Sequence, residues 1–132
     1  MSARVIAETI HCHADPRGWV FEPLEPDLIP SQRNVHVVVT GPGGIRGNHR
    51  HQHGTETAVV IGPALVRLRE DGHVRDITVS AGEALRLTIP PGIAHAFQNT
   101  GLEPMLMIAF NTVPHDPAQR DLVRDVLIPA QG

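Results

Sequence analysis

The chain has 132 residues, 41% hydrophobic and 19% charged, which suffices for one folded domain over 1-132 and is too little for two independent cores. Its net charge of −3 carries no electrostatic footprint for nucleic acid or an anionic membrane. All 11 basic residues are Arg and there is no Tyr, so lysine Schiff-base chemistry and a phenolic acid or base are excluded; a lone Cys12 excludes an internal disulfide.

Residues 1–10 lack the apolar stretch of a signal peptide, and no run approaches the roughly 18 apolar residues of a membrane span, so a soluble, cytoplasmic protein is expected. Val5–Ile10 reads as an N-terminal strand able to pair with a neighbouring chain. From there on, Gly and Pro interrupt the sequence at short intervals, leaving segments of strand length. Val35–Thr40, Thr57–Ile61, Leu65–Arg69, Val74–Val79, Leu85–Ile89, Ala94–Asn99 and Met105–Phe110 are the strand candidates. Leu65–Arg69 and Leu85–Ile89 alternate apolar and polar residues with period two. Glu70-Asp71-Gly72-His73 reads as a hairpin turn. Only Pro117–Leu127 has helical spacing, with Leu122, Val123, Val126 and Leu127 on one face and Asp116 before Pro117 as a start signal. So many short strands in one domain predict an antiparallel sandwich or barrel with one short C-terminal helix.

Two segments carry chemistry. In Gly43-Gly44-Ile45-Arg46-Gly47-Asn48-His49-Arg50-His51-Gln52-His53-Gly54-Thr55-Glu56, a strand places the His49 and His51 imidazoles on one face and Arg50 on the other. Glu56 returns to that face after the turn at Gly54. Two imidazoles and a carboxylate converging on one point have the composition of a metal site, although a solvated His-rich turn has the same spacing. In Pro90-Pro91-Gly92-Ile93-Ala94-His95-Ala96-Phe97-Gln98-Asn99, a rigid turn feeds a strand with His95 early in it.

Together these segments resemble the paired motifs of the cupin superfamily. The first family motif is Gly, five residues, His-x-His, three or four residues, Glu, then six residues and Gly; Gly43, His49, His51 and Glu56 fit it, while Gly62 comes one residue early. The second ends in Pro-x-Gly, two residues, His, three residues, Asn; Pro90, Gly92, His95 and Asn99 fit it, while Gly82 lies two residues too far upstream. The resemblance implies an all-β, cupin-type jelly roll holding one divalent metal on His49, His51, Glu56 and His95. This ligand set does not choose among Zn, Fe, Ni, Mn and Co; zinc is favoured.

Asp15-Pro16-Arg17-Gly18-Trp19-Val20-Phe21-Glu22 and the Arg46-Gly47-Asn48-His49 loop are similar to stretches of sugar-nucleotide cupins, notably the C-terminal domains of capsular-polysaccharide reductase/epimerases. That narrower resemblance implies an epimerase or keto-isomerase of a nucleotide-linked keto-sugar, a small-molecule substrate, and a homodimer. It leaves two alternatives standing: an Fe(II) cupin dioxygenase, and a non-catalytic ligand-binding cupin. With three imidazoles committed to metal, the base falls to His53 or His36, and Arg46 and Arg50, which flank the site, are the anion-binding candidates. His11, His13, His73 and His115 read as surface residues.

Overall fold

The computed structural model describes residues 4–130. Two five-stranded antiparallel sheets pack face to face. The first has the order β1 (Ile6–Thr9), β9 (Ala84–Ile89), β6 (Glu56–Ile61), β11 (Met105–Asn111), β4 (Asn34–Thr40). The second has the order β12 (Leu122–Arg124), β5 (Ile45–His51), β10 (Ala94–Asn99), β7 (Ala64–Glu70), β8 (His73–Val79). A small hairpin of β2 (His13–Asp15) and β3 (Gly18–Val20) stands outside them. Strands adjacent in space are mostly distant in sequence, as in the jelly roll expected of a cupin.

The period-two pattern explains the sandwich. On β7, Val66 and Leu68 are fully buried between the sheets while Arg67 and Arg69 face out. Leu87 and Ile89 of β9, Val60 of β6 and Phe97 of β10 complete the same core. Burying each such side chain stabilises the fold by about 1.5–3 kcal/mol. Asp71 and Gly72 have φ of 51° and 76°, the left-handed pair a tight hairpin between β7 and β8 requires.

The N-terminal strand forms and pairs within its own chain, Ile6 opposite Thr88 and Thr9 opposite Leu85, leaving its far edge unpaired among the described residues. One expectation needs correction. The C-terminal helix is absent. Asp116 does start a turn, accepting from the amides of Ala118 and Gln119, but the chain then extends as β12 along the edge of β5, with Val123 opposite Arg50. An isolated helix this short is marginal, and tertiary bonds outbid it. The Asp125 amide donates to Asn48 O, the Leu127 and Ile128 amides donate to Asn48 Oδ1, and Asp125 is gripped by Arg50 and Arg69 at 2.9 and 2.7 Å. Among the described residues no helix is long and apolar enough to cross a membrane.

Candidate metal centre

The ligand positions are set by local backbone chemistry. His49 and His51 share the inward face of β5. Opposite them, the pairing of β10 with β5 skips Asn48, since His95 faces His49 and Ala96 faces Gly47. This bulge needs Gly47 and Asn48 as they are. Gly47 has φ of 84°, and a Cβ there would meet His95 O at 2.7 Å. Asn48 has φ of 58°, a conformation Asn tolerates better than most residues. The bulge re-aims His49 at His95, whose ring centroids lie 4.7 Å apart. The Gly92 amide donates to His51 O at 2.8 Å, so the Pro-Pro-Gly turn is tied to the end of β5. Glu56 enters from the opposing sheet as the first residue of β6.

The four side chains each offer one ligand atom, and these atoms all lie within 4.8 Å of one another. His51, Glu56 and His95 are buried and His49 is half-buried. His95 Nε2 lies 3.0 Å from Glu56 Oε2, and His51 Nε2 lies 3.6 Å from Glu56 Oε1. Yet His51 Nε2, His95 Nε2 and Glu56 Oε2 make no well-directed hydrogen bond. Buried polar atoms left this way are costly, and several converging on one point fit an ion that satisfies them together. His95 Nδ1 donates to Ile93 O at 3.0 Å, which fixes the tautomer and leaves Nε2 free to ligate.

The electrostatics agree with that role. Burial, reinforced by neighbouring His95, pushes His49 down to about 4, so its imidazole is neutral at pH 7, as metal ligation requires. Burial also opposes ionisation of Glu56, but the His51 and His95 imidazoles outweigh it and hold the carboxyl below its ordinary range. For His51, burial is outweighed by Glu56 and Asp121, which raise it.

A cavity of about 240 Å³ opens beside the cluster, its wall including Asn34, His36, His51, Asn111, His115 and Arg120. His36 Nδ1 donates to Asn34 Oδ1 at 3.0 Å, and its Nε2 has no hydrogen-bond partner among the described residues. Thus the structure brings His36 to the cavity. It does not bring His53, which sits exposed in the β5–β6 turn outside the cavity wall. Nor does it bring Arg50, whose guanidinium pairs with Asp125, or Arg46, which donates to Thr40 Oγ1 and Val39 O and lies outside the wall.

Sequence reasoning missed Asn111, Asp121, His115 and Arg120. Asn111 carried a signal, because it ends the inward stripe Met105, Met107, Ala109 on β11 as a polar residue. Arg120 and Asp121 lie within 117–127, where the helical reading hid them; His115, expected at the surface, is exposed and also lines the cavity.

Known proteins resemble this chain over most of its length. The family described as polysaccharide biosynthesis C-terminal domain matches residues 13–123. The spore coat polysaccharide biosynthesis protein SpsL of Bacillus subtilis is 29% identical over 122 residues, covering 83% of this chain and 79% of its own. The capsular polysaccharide assembling protein CapF of Staphylococcus aureus superposes with a TM-score of 0.66 at 27% identity, over 89% of this chain and 33% of CapF. The present chain therefore spans about a third of that protein. A dTDP sugar isomerase from Desulfovibrio desulfuricans superposes with a TM-score of 0.75 over 93% of this chain and 84% of its own; at 19% identity the likeness is one of fold.

Proposed function

The chain belongs to the polysaccharide biosynthesis C-terminal domain family, and from that premise we propose that it is a metal-dependent epimerase or keto-isomerase of a nucleotide-linked keto-sugar. One observation carries the reading. The cavity wall includes both His51, a buried member of the ligand cluster, and His36, whose ring is held by Asn34 through Nδ1 and whose Nε2 has no hydrogen-bond partner among the described residues. A proton next to a ketone is removed readily only when charge on the ketone oxygen is stabilised and a base lies within reach. A metal on His49, His51, Glu56 and His95 supplies the Lewis acidity; zinc suffices, because proton transfer requires no redox change.

His36 takes the proton through Nε2, its ring oriented by Asn34. With no Tyr in the chain, return of a proton from another direction falls to His115, a second imidazole in the cavity wall. Arg120 lines the same cavity and has no ion-pair partner among the described residues, so it is the cation placed to meet the substrate's phosphates. Arg46 ties β5 to β4. A homodimer is part of the same reading, supported by the edges of β1 and β4, unpaired among the described residues, and by the exposed valines Val35, Val37 and Val39 on β4.

The test is solvent exchange. Zinc-loaded protein incubated with a UDP- or dTDP-linked 4-keto-6-deoxy sugar in heavy water should place deuterium on a carbon next to the ketone. His36→Gln should slow that uptake by about 10²–10⁴-fold with zinc content unchanged. No uptake by the wild type, together with oxygen consumption by the Fe(II)-loaded protein, would overturn the reading in favour of a dioxygenase.

A further inference from the structure

His95 and His51 both need a proton on the ring nitrogen that does not ligate. For His95 the acceptor is a neighbouring backbone carbonyl, Ile93 O. For His51 no backbone carbonyl serves. Its Nδ1 instead faces Asp121 Oδ2 at 3.5 Å, and that carboxylate arrives from the far end of the chain. We propose that Asp121 is the positioning residue of the metal centre: it accepts the Nδ1 proton of His51 and thereby turns the Nε2 lone pair toward Glu56 and His95. The inference rests on the metal-centre reading and is independent of the isomerase reading.

Asp121 is held for this task from several directions. Its Oδ1 accepts from the His53 amide at 2.8 Å, its Oδ2 from the Gly54 amide at 2.9 Å, and its carbonyl from the Gln52 amide at 2.8 Å. These are the residues between the ligands His51 and Glu56, so one aspartate fixes the turn that separates them. Gly54 makes room for it: a Cβ there would collide with Asn111 Oδ1 and lie 2.9 Å from Asp121 Oδ2. Asn111 Nδ2 lies 3.4 Å from the same His51 Nδ1, and because Asn111 Oδ1 accepts from the Val113 amide, it is an N–H donor that this side chain presents to the ring. A neutral amide donor competes poorly with a carboxylate acceptor for the same ring nitrogen. Metal-bound imidazoles commonly lean on such an acceptor, which sets the tautomer and the ring orientation.

The alternative is that Asp121 merely latches the turn. Two controls separate the roles. Asp121→Asn keeps the side chain's size and an acceptor for one of the two amides, but removes the charge facing His51. Asp125→Ala loosens the same C-terminal segment from Arg50 and Arg69 while touching no ligand. Zinc affinity is measured by competition with a chromophoric chelator, with circular dichroism as a check on folding. Zinc-loaded wild type should show the His51 proton on Nδ1 in nitrogen-15 imidazole spectra. Asp121→Asn should weaken zinc by about 10–100-fold and perturb that signal, while Asp125→Ala stays close to wild type. Wild-type affinity in Asp121→Asn, or an equal loss in Asp125→Ala, would overturn the proposal. Failure of the wild type itself to bind zinc would instead count against the metal centre.

Discussion

The two ends of the barrel interior are built from the same strands and do opposite things. Along β6 the inward residues run Glu56, Ala58, Val60, and along β10 they run His95, Phe97, Asn99. At one end these strands carry ligand atoms with no hydrogen-bond partner; in the middle they carry side chains packed to exclusion of solvent. The apolar part is satisfied by volume alone, and any well-fitting set of side chains serves it. The polar end leaves converging buried atoms without partners, an arrangement that suits an ion held by four particular residues at fixed separations. A difference this sharp within one sheet sandwich separates stability from function in space. Substitutions at the two ends should therefore have distinct signatures.

The largest effect is expected at the polar end. His95→Ala should abolish stoichiometric zinc, read by metal analysis of the purified protein, and chelation of the wild type should lower its melting temperature. A ligand at 1,000 times its Kd adds about 4 kcal/mol to stability, and that contribution vanishes with the metal. At the apolar end, Leu87→Ala should cost about 2–5 kcal/mol by denaturant titration, with zinc stoichiometry unchanged. Loss of zinc in Leu87→Ala would mean that the two ends are not separable.

A third expectation uses pH on chelator-treated protein. His49 is depressed to about 4 from 6.5, so between these values the unfolded chain binds the extra proton and stability falls as pH falls. His51 is raised, so above 6.5 the folded chain holds the proton that the unfolded chain has lost, and stability falls as pH rises through its folded value. Metal-free protein should therefore be most stable near pH 6.5 as far as these two groups decide it. Zinc-loaded protein needs every ligand deprotonated, so its stability should keep rising with pH through the same region. Thermal melts across pH 5–8 with and without zinc compare the two, and identical profiles would count against these imidazoles as ligands. The smallest effect belongs to the outer face, remote from both ends. Asp125→Asn weakens partly exposed ion pairs to Arg50 and Arg69 and should cost roughly 0–1 kcal/mol.

Much of this was legible in the sequence because it is written in short-range rules. Period-two alternation and Gly/Pro punctuation located most strands between β4 and β11, His-x-His with its returning Glu offered the composition of a metal site, and the resemblance to the paired cupin motifs added His95 to the set. The C-terminal segment defeated the same rules. Leu122, Val123, Val126 and Leu127 satisfy a helical period, but their conformation is decided by an Asn48 side chain and an open β5 edge far away in sequence. Asp121 was invisible for that reason, since its role exists only once the segment is extended beside His51. Arg50 and His53 lie outside the cavity wall for a related reason: sequence neighbours of a ligand candidate need not share its face or its cavity.

Zinc K-edge X-ray absorption on the stoichiometrically loaded protein tests the metal centre most directly. The expected spectrum has only nitrogen and oxygen neighbours, at about 2.0–2.2 Å, with outer-shell scattering from three imidazoles. A sulfur neighbour near ~2.3 Å, or scattering from fewer than two imidazoles, would contradict it.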